Sequence, residues 1–161
     1  MKRLRRRDIR AEVRRRRVPT EQDWGNYPAD LDQNHAYQKF SGKTNEEVQR
    51  YFKSNALATT EDLRRMPRVP FQYYMLGFRD AIAAEAFEPT WKSDAASCFL
   101  GLILEKIEKH PDHILAIMPE LLPTAEHVAD NQTAFGAKES VYGSFLKIFK
   151  RIQALYAALG G

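Results

Sequence analysis

A chain of 161 residues with one cysteine and no long apolar run cannot form an internal disulfide and carries no helical membrane span. Its net charge of +4 hides a split: residues 1–18 carry ten Lys/Arg against Asp8 and Glu12, a net of +8, whereas the rest carries 15 Lys/Arg against 19 Asp/Glu, a net of −4. The length fits one domain, large enough to bury roughly 68–70% of its unfolded surface without a metal or disulfide.

Residues 1–19 form a separate arm. Residues 2–17 contain no Gly or Pro, Pro19 closes the stretch, and only Leu4, Ile9, Ala11 and Val13 are apolar before it ends. Arginine favours helix, yet an isolated helix of this length is marginal. The arm is therefore expected to be exposed and helical only in part or on binding. Its guanidinium groups suit phosphate, which makes Arg3, Arg5, Arg6, Arg7, Arg10, Arg14, Arg15, Arg16 and Arg17 the candidate nucleic-acid contacts. Arg5-Arg6-Arg7-Asp8 followed by Arg10-Ala11-Glu12 resembles the arginine-rich RNA-binding helix of lambdoid phage antitermination proteins; the resemblance is confined to this stretch and implies RNA as the ligand. A solubilising tail, an acidic protein partner and a misplaced start codon are the competing explanations. No apolar run follows the arginines, so a secretory signal is not expected. With the lone Cys98 in an apolar run, the expected compartment is the cytoplasm.

Residues 20–161 are expected to form one helical domain. Its opening segment, 20–43, lacks a clear period and is rich in turn formers: Asp23, Asn26, Pro28, Asp30, Asp32, Asn34 and Gly42. It is predicted to be an irregular wrap. Its interleaved Trp24, Tyr27, Tyr37 and Phe40 either plug the core or form a partner-binding surface. Thr44 and Glu47 make a capping box that starts a helix with Val48, Tyr51 and Phe52 on its apolar face and Asn55 as its stop. A short helix follows from Thr59 or Thr60 to just before Pro67, with Glu61 and Asp62 in its first turn.

The chain is organised around the next stretch. Phe71, Tyr74, Met75, Phe78 and Ile82 recur at i, i+3, i+4 and i+7, which predicts a helix over 71–87 with Pro70 in its first turn. Tyr73, Leu76, Ala83, Ala84 and Phe87 widen its apolar face, so it is expected to be buried on most sides. Gly77 is expected at a close helix–helix approach, and Arg79 and Asp80 as an ion pair or a solvated edge. A further helix from about Trp91 to Lys109 has Ala96, Phe99, Leu100, Ile103 and Ile107 on one face. Residues 112–135 predict one short helix before Pro119 and another after Pro123. The last helix, from Ala137, carries a stripe of Val141, Phe145, Ile148, Phe149, Ile152, Leu155, Tyr156 and Leu159. The fold class is all-α: an irregular bundle of about five to seven helices around a central buried helix.

No stretch carries a motif fit for chemistry. Gly42-Lys43-Thr44 matches only the tail of a phosphate-binding loop, because position 37 is Tyr where that pattern needs glycine. His110, His113, Glu126 and His127 are the nearest approach to a metal cluster, but Pro111 interrupts the helical spacing that ligand pairs need. His35 has no assignable partner. Catalytic, metal and cofactor residues are therefore not expected. The expected function is that of a non-catalytic helical binding protein of adaptor, inhibitor or immunity type, whose acidic body docks a protein partner. The alternative is nucleic-acid binding through the arm, with Lys147, Lys150 and Arg151 as a continuing basic stripe.

Overall fold

The structure, a computed structural model, describes residues 17–85 and 87–161. Residues 1–16 of the arm lie outside it. The described residues form helices and turns with no strand, as the all-α expectation requires. Among the described residues, seven α-helices have ten residues or more, and two further α-helices are single turns.

The segment 20–43 is more regular than its composition suggests. Its turn formers are helix caps. The Thr20 side chain accepts from the Asp23 backbone, and Asp23 returns the bond, which closes a short 3-10 helix over Glu21–Trp24. A second 3-10 helix covers Tyr27–Ala29. Asp30 then caps α1 (Leu31–Phe40) by accepting from the backbone of Asp32 and Gln33. Gly42, at φ 72°, turns the chain into α2 (Asn45–Ser54), where the predicted Thr44–Glu47 capping box is present. Asn55 ends α2 and at the same time caps α3 (Ala56–Arg65), so α3 begins earlier than Thr59. Thr59 and Thr60 sit buried in mid-helix, their hydroxyls donating to the carbonyls of Asn55 and Ala56 one turn back.

The central helix is α4 (Arg68–Ala84). It touches α2, α3, the first 3-10 helix, α5 (Pro89–Lys109), α6 (Pro111–Ile114) and α7 (Met118–Asp130). Phe71, Tyr74, Met75, Phe78 and Ile82 are all fully buried, as their spacing predicts. The helix starts before Phe71, because Pro67 takes the capping position. It stops at Ala84, short of the predicted Phe87, because Glu85 adopts a left-handed conformation (φ 51°). Ala83 and Ala84 consequently face solvent.

Gly77 marks the tightest approach. A Cβ there would overlap the side-chain oxygen of Asn45 on α2. Asn45 is held in place: its amide donates to the Tyr73 carbonyl at 2.8 Å and its backbone N–H to the Tyr73 hydroxyl at 3.2 Å. Gln49 donates to the Gly77 carbonyl at 2.8 Å. Displacing the amide costs about 1–3 kcal/mol, partly offset by the ~1 kcal/mol helix preference of alanine over glycine. Gly77→Ala is therefore expected to destabilise by up to about 2 kcal/mol in urea unfolding. In an Asn45→Ala background the same change should stabilise; an unchanged sign would mean that the Asn45 contact is not what selects glycine.

After α5, whose predicted apolar face is buried throughout, the short helix expected before Pro119 is α6 with a 3-10 turn over Leu115–Ile117, and the helix expected after Pro123 begins earlier, at Met118, as α7. Pro119 lies in its first turn, where a missing N–H costs nothing. Pro123 forfeits one hydrogen bond, and burial of Leu121, Ala125 and Val128 outweighs it. The predicted last helix is divided. A single turn, α8 (Glu139–Tyr142), ends at Gly143 (φ 74°), and Ser144 caps α9 (Phe145–Ala158). Gln132 fixes the break by donating to the Gly143 carbonyl and accepting from the Phe145 backbone. Val141 is left 70% exposed and Leu159 46% exposed, outside the stripe assigned to them, whereas Phe145, Phe149 and Ile152 are buried.

Candidate functional site

The four aromatic residues of the opening segment divide into two pairs. Trp24 and Phe40 are fully buried and packed around Tyr74, so these rings belong to the core and offer no surface to a partner. Tyr27 and Tyr37 are half-buried and stacked on each other, with ring centroids 3.6 Å apart. The Tyr27 hydroxyl donates to Glu21 at 3.2 Å. Beside this stack the chain turns into α1 and exposes Leu31 to 85%, more than any other large apolar side chain among the described residues. Leu31 stands between Asp30 and Asp32. From Thr20 to Gln38 the chain has four carboxylates, Glu21, Asp23, Asp30 and Asp32, and no Lys or Arg.

A recess of about 340 Å³ adjoins this corner, lined by Asp32, His35, Ala58, Glu61, Asp62 and Arg65. Asp62 forms its inner wall. The expectation of a solvated first-turn carboxylate fails here, because α3 starts earlier and turns Asp62 inward; its side chain is 7% exposed. It accepts from Lys39 Nζ at 3.0 Å, and its other oxygen lies 2.8 Å from His35 Nδ1. Both carboxylate oxygens are thus engaged, which offsets part of the cost of burying the group. His35, 71% exposed, thus has a partner that sequence spacing could not supply. A carboxylate-oriented imidazole is half of a nucleophile-activating relay, but among the described residues no Ser, Thr or Cys side chain bonds to His35. Asp32 and Arg65 pair at 3.4 Å with both side chains more than half exposed, a contact that an incoming guanidinium can exchange with little penalty.

The remaining sequence candidates are not brought together. His110 and His127 are exposed and His113 is half-buried. Burial, reinforced by the Lys106 ammonium, pushes the His113 imidazole below its ordinary pKa. His127 lies 3.0 Å from Glu85, and Glu126 is exposed on the same helix. Among the described residues no group of three or more His, Cys, Asp and Glu is placed to hold a metal ion. Lys43 turns back on its own chain, donating to the Lys39 carbonyl and the Tyr51 hydroxyl. Arg79 pairs with Asp80 at 2.7 Å, the ion pair expected of them. Of the arm's candidate contacts, Arg17 is exposed, and Arg3, Arg5, Arg6, Arg7, Arg10, Arg14, Arg15 and Arg16 lie outside the described residues. Lys147, Lys150 and Arg151 are exposed on α9, with Arg151 bound to Glu108 at 2.8 Å.

No described helix is long and apolar enough to cross a membrane. No family model, no curated protein and no solved structure matches this chain.

Proposed function

We propose that the folded body is a non-catalytic docking module, of adaptor, inhibitor or immunity type, whose partner is a protein with a basic surface. The observation that carries this reading is the corner around Leu31. An 85% exposed leucine, flanked in sequence by Asp30 and Asp32, opens the helix whose Tyr37 stacks on Tyr27, in a stretch with no Lys or Arg between Thr20 and Gln38. Protein interfaces combine an apolar or aromatic centre with a polar rim, and an acidic rim selects and steers a basic partner. Asp32 and Glu61 line the recess beside it, each more than half exposed and paired with Arg65 and Arg64, contacts that an incoming lysine or arginine can exchange. The experiment is affinity capture with three full-length baits: the unaltered chain, Leu31→Arg and Lys138→Ala. A basic protein held by the first and third and lost from the second supports the reading. Its affinity for Leu31→Arg should fall roughly tenfold or more, about 1.4 kcal/mol. Equal retention by all three baits overturns it.

The charge segregation favours a second reading, nucleic-acid binding through residues 1–18. Neutralising about six phosphates makes affinity fall roughly a thousandfold between 50 and 200 mM salt. RNA or duplex DNA binding with that salt dependence, abolished by replacing Arg5, Arg6 and Arg7 with Gln, is the expected result; salt-insensitive binding, or none, removes this reading.

A further inference from the structure

The C-terminal ends of α3 and α5 meet at a recess of about 240 Å³ lined by Arg64, Arg65, Glu105, Lys106, Lys109 and His110. Four cations, an imidazole and one carboxylate line it; outside the recess Arg64 also pairs with Glu61, and Arg65 with Asp32 at 3.4 Å. The Glu105 carboxylate is already engaged, accepting from Arg64 Nε at 2.6 Å and lying 3.5 Å from Lys109 Nζ.

The unusual member is Lys106. Lysine is almost never fully buried without a charged partner, yet Lys106 is 2% exposed. Its ammonium donates to a single acceptor, the Arg64 carbonyl at 3.0 Å, and lies 4.8 Å from the centre of the Phe71 ring. An ammonium has three donors, so part of its capacity is unused. Burial pushes its pKa below the ordinary lysine value, with Arg64 acting in the same direction. Nearby, His113 Nδ1 is buried with no hydrogen-bond partner. Lys106 thus brings a buried positive charge and unused donors to the recess, with no carboxylate at ion-pair distance among the described residues.

Helix C-termini repel anions through their free carbonyls, which is the main argument against an anion here. At the end of α3 the Lys106 bond to the Arg64 carbonyl answers it. The volume excludes a drug-sized organic ligand, which needs about 300–1,000 Å³, and suits a single tetrahedral oxyanion with its water.

We infer that this recess binds a small phosphate-class dianion, with Lys106 as its buried cationic floor and Arg65 and Lys109 as its rim. Free phosphate and the phosphoryl end of a small monoester share this chemistry. The site meets the acidic corner at Arg65, which lines both recesses, but it does not depend on the function proposed for that corner.

The test is residue-resolved NMR on the full-length protein at constant ionic strength, titrated separately with inorganic phosphate, with glycerol phosphate and with chloride. The expected result is saturable amide shifts at Arg65, Lys109 and His110 with either phosphate compound and none with chloride. Tighter binding of one compound identifies the source. Lys109 is 65% exposed, so Lys109→Glu leaves the fold intact and should weaken binding roughly tenfold. Lys106→Met tests the floor and should abolish saturation; a melting curve shows whether it folds. Shifts confined to the N-terminal arginines, linear shifts shared with chloride, or unaltered binding in Lys109→Glu would each overturn the inference.

Discussion

Phe78→Ala is expected to cost about 3–5 kcal/mol of folding stability, the range for emptying a buried aromatic site. Phe78 is the residue at which three helices meet. Its ring stacks on Phe52 of α2 with centroids 4.9 Å apart and meets Phe99 of α5 edge-on at 5.5 Å. All three rings are fully buried. Removing it opens a cavity between elements that are fixed on their other sides, so collapse into the space is limited. Each aromatic pair adds about 0.5–1.5 kcal/mol beyond its buried area. Phe78→Leu, which keeps most of the volume and loses both pairings, should fall between wild type and the alanine variant. For a domain of this size the melting temperature drops about 2–4 °C per kcal/mol, so Phe78→Ala should melt roughly 6–20 °C lower. Urea unfolding monitored by circular dichroism gives the free energy directly. A loss under about 1 kcal/mol would mean that α4 is not the centre of the core.

This helix was legible because its information is local. Five large apolar residues at helical spacing point the same way whatever surrounds them, and the α5 face around Phe99, Leu100 and Ile103 is equally self-evident. α1 was not legible for the opposite reason. Its ten residues contribute only Ala36 and Phe40 to the core, too thin a stripe to register as a period. Its strongest signal, Asp30, is the same residue type that marks a turn. A cap and a turn former are distinguished only by the residues C-terminal to them, and after Asp30 those residues are mostly polar. The division of the last helix at Gly143 depends on Gln132, which acts across a loop and carries no sequence signature. The same holds for the charged residues that matter. Asp62 reads as a first-turn carboxylate, and no spacing singles out Lys106. Burial of Asp62 depends on His35 and Lys39, 27 and 23 residues away, and that of Lys106 on the end of a helix 42 residues earlier. Of the proposed docking corner, Tyr27 and Tyr37 were visible as aromatics among turn formers. Leu31 was not, because an isolated leucine in a polar stretch looks like any core anchor until its exposure is known.

Trp24→Ala should cost about 3–5 kcal/mol as well, and its partner variant Trp24→Phe much less. The two together decide whether the first 3-10 helix is part of the core or a detachable recognition segment. Trp24 is fully buried, edge-on to Tyr37 at 5.5 Å and tilted against Tyr74 at 6.3 Å. Tyr74 in turn donates to the Phe40 and Lys43 carbonyls at 2.6 and 2.8 Å, which ties the plug to α4 and to the turn before α2. Removing the indole therefore loosens three segments at once. The indole N–H is buried with no acceptor, a defect worth about 1–3 kcal/mol against the folded state. Phenylalanine loses packing area but sheds that donor, so Trp24→Phe is expected within about 1 kcal/mol of wild type. A surface residue, by contrast, would shift stability by no more than about 0.5 kcal/mol on truncation. If both variants unfold like wild type, the segment is detachable and Trp24 returns to the partner-binding surface. If Phe costs as much as Ala, the indole N–H has an acceptor in solution. The chain has two tryptophans, so Trp91→Phe is the background in which Trp24 fluorescence reports this unfolding alone. In that background the emission of the folded state should be that of an indole sealed from water, moving to longer wavelength in a single transition coincident with the loss of helix.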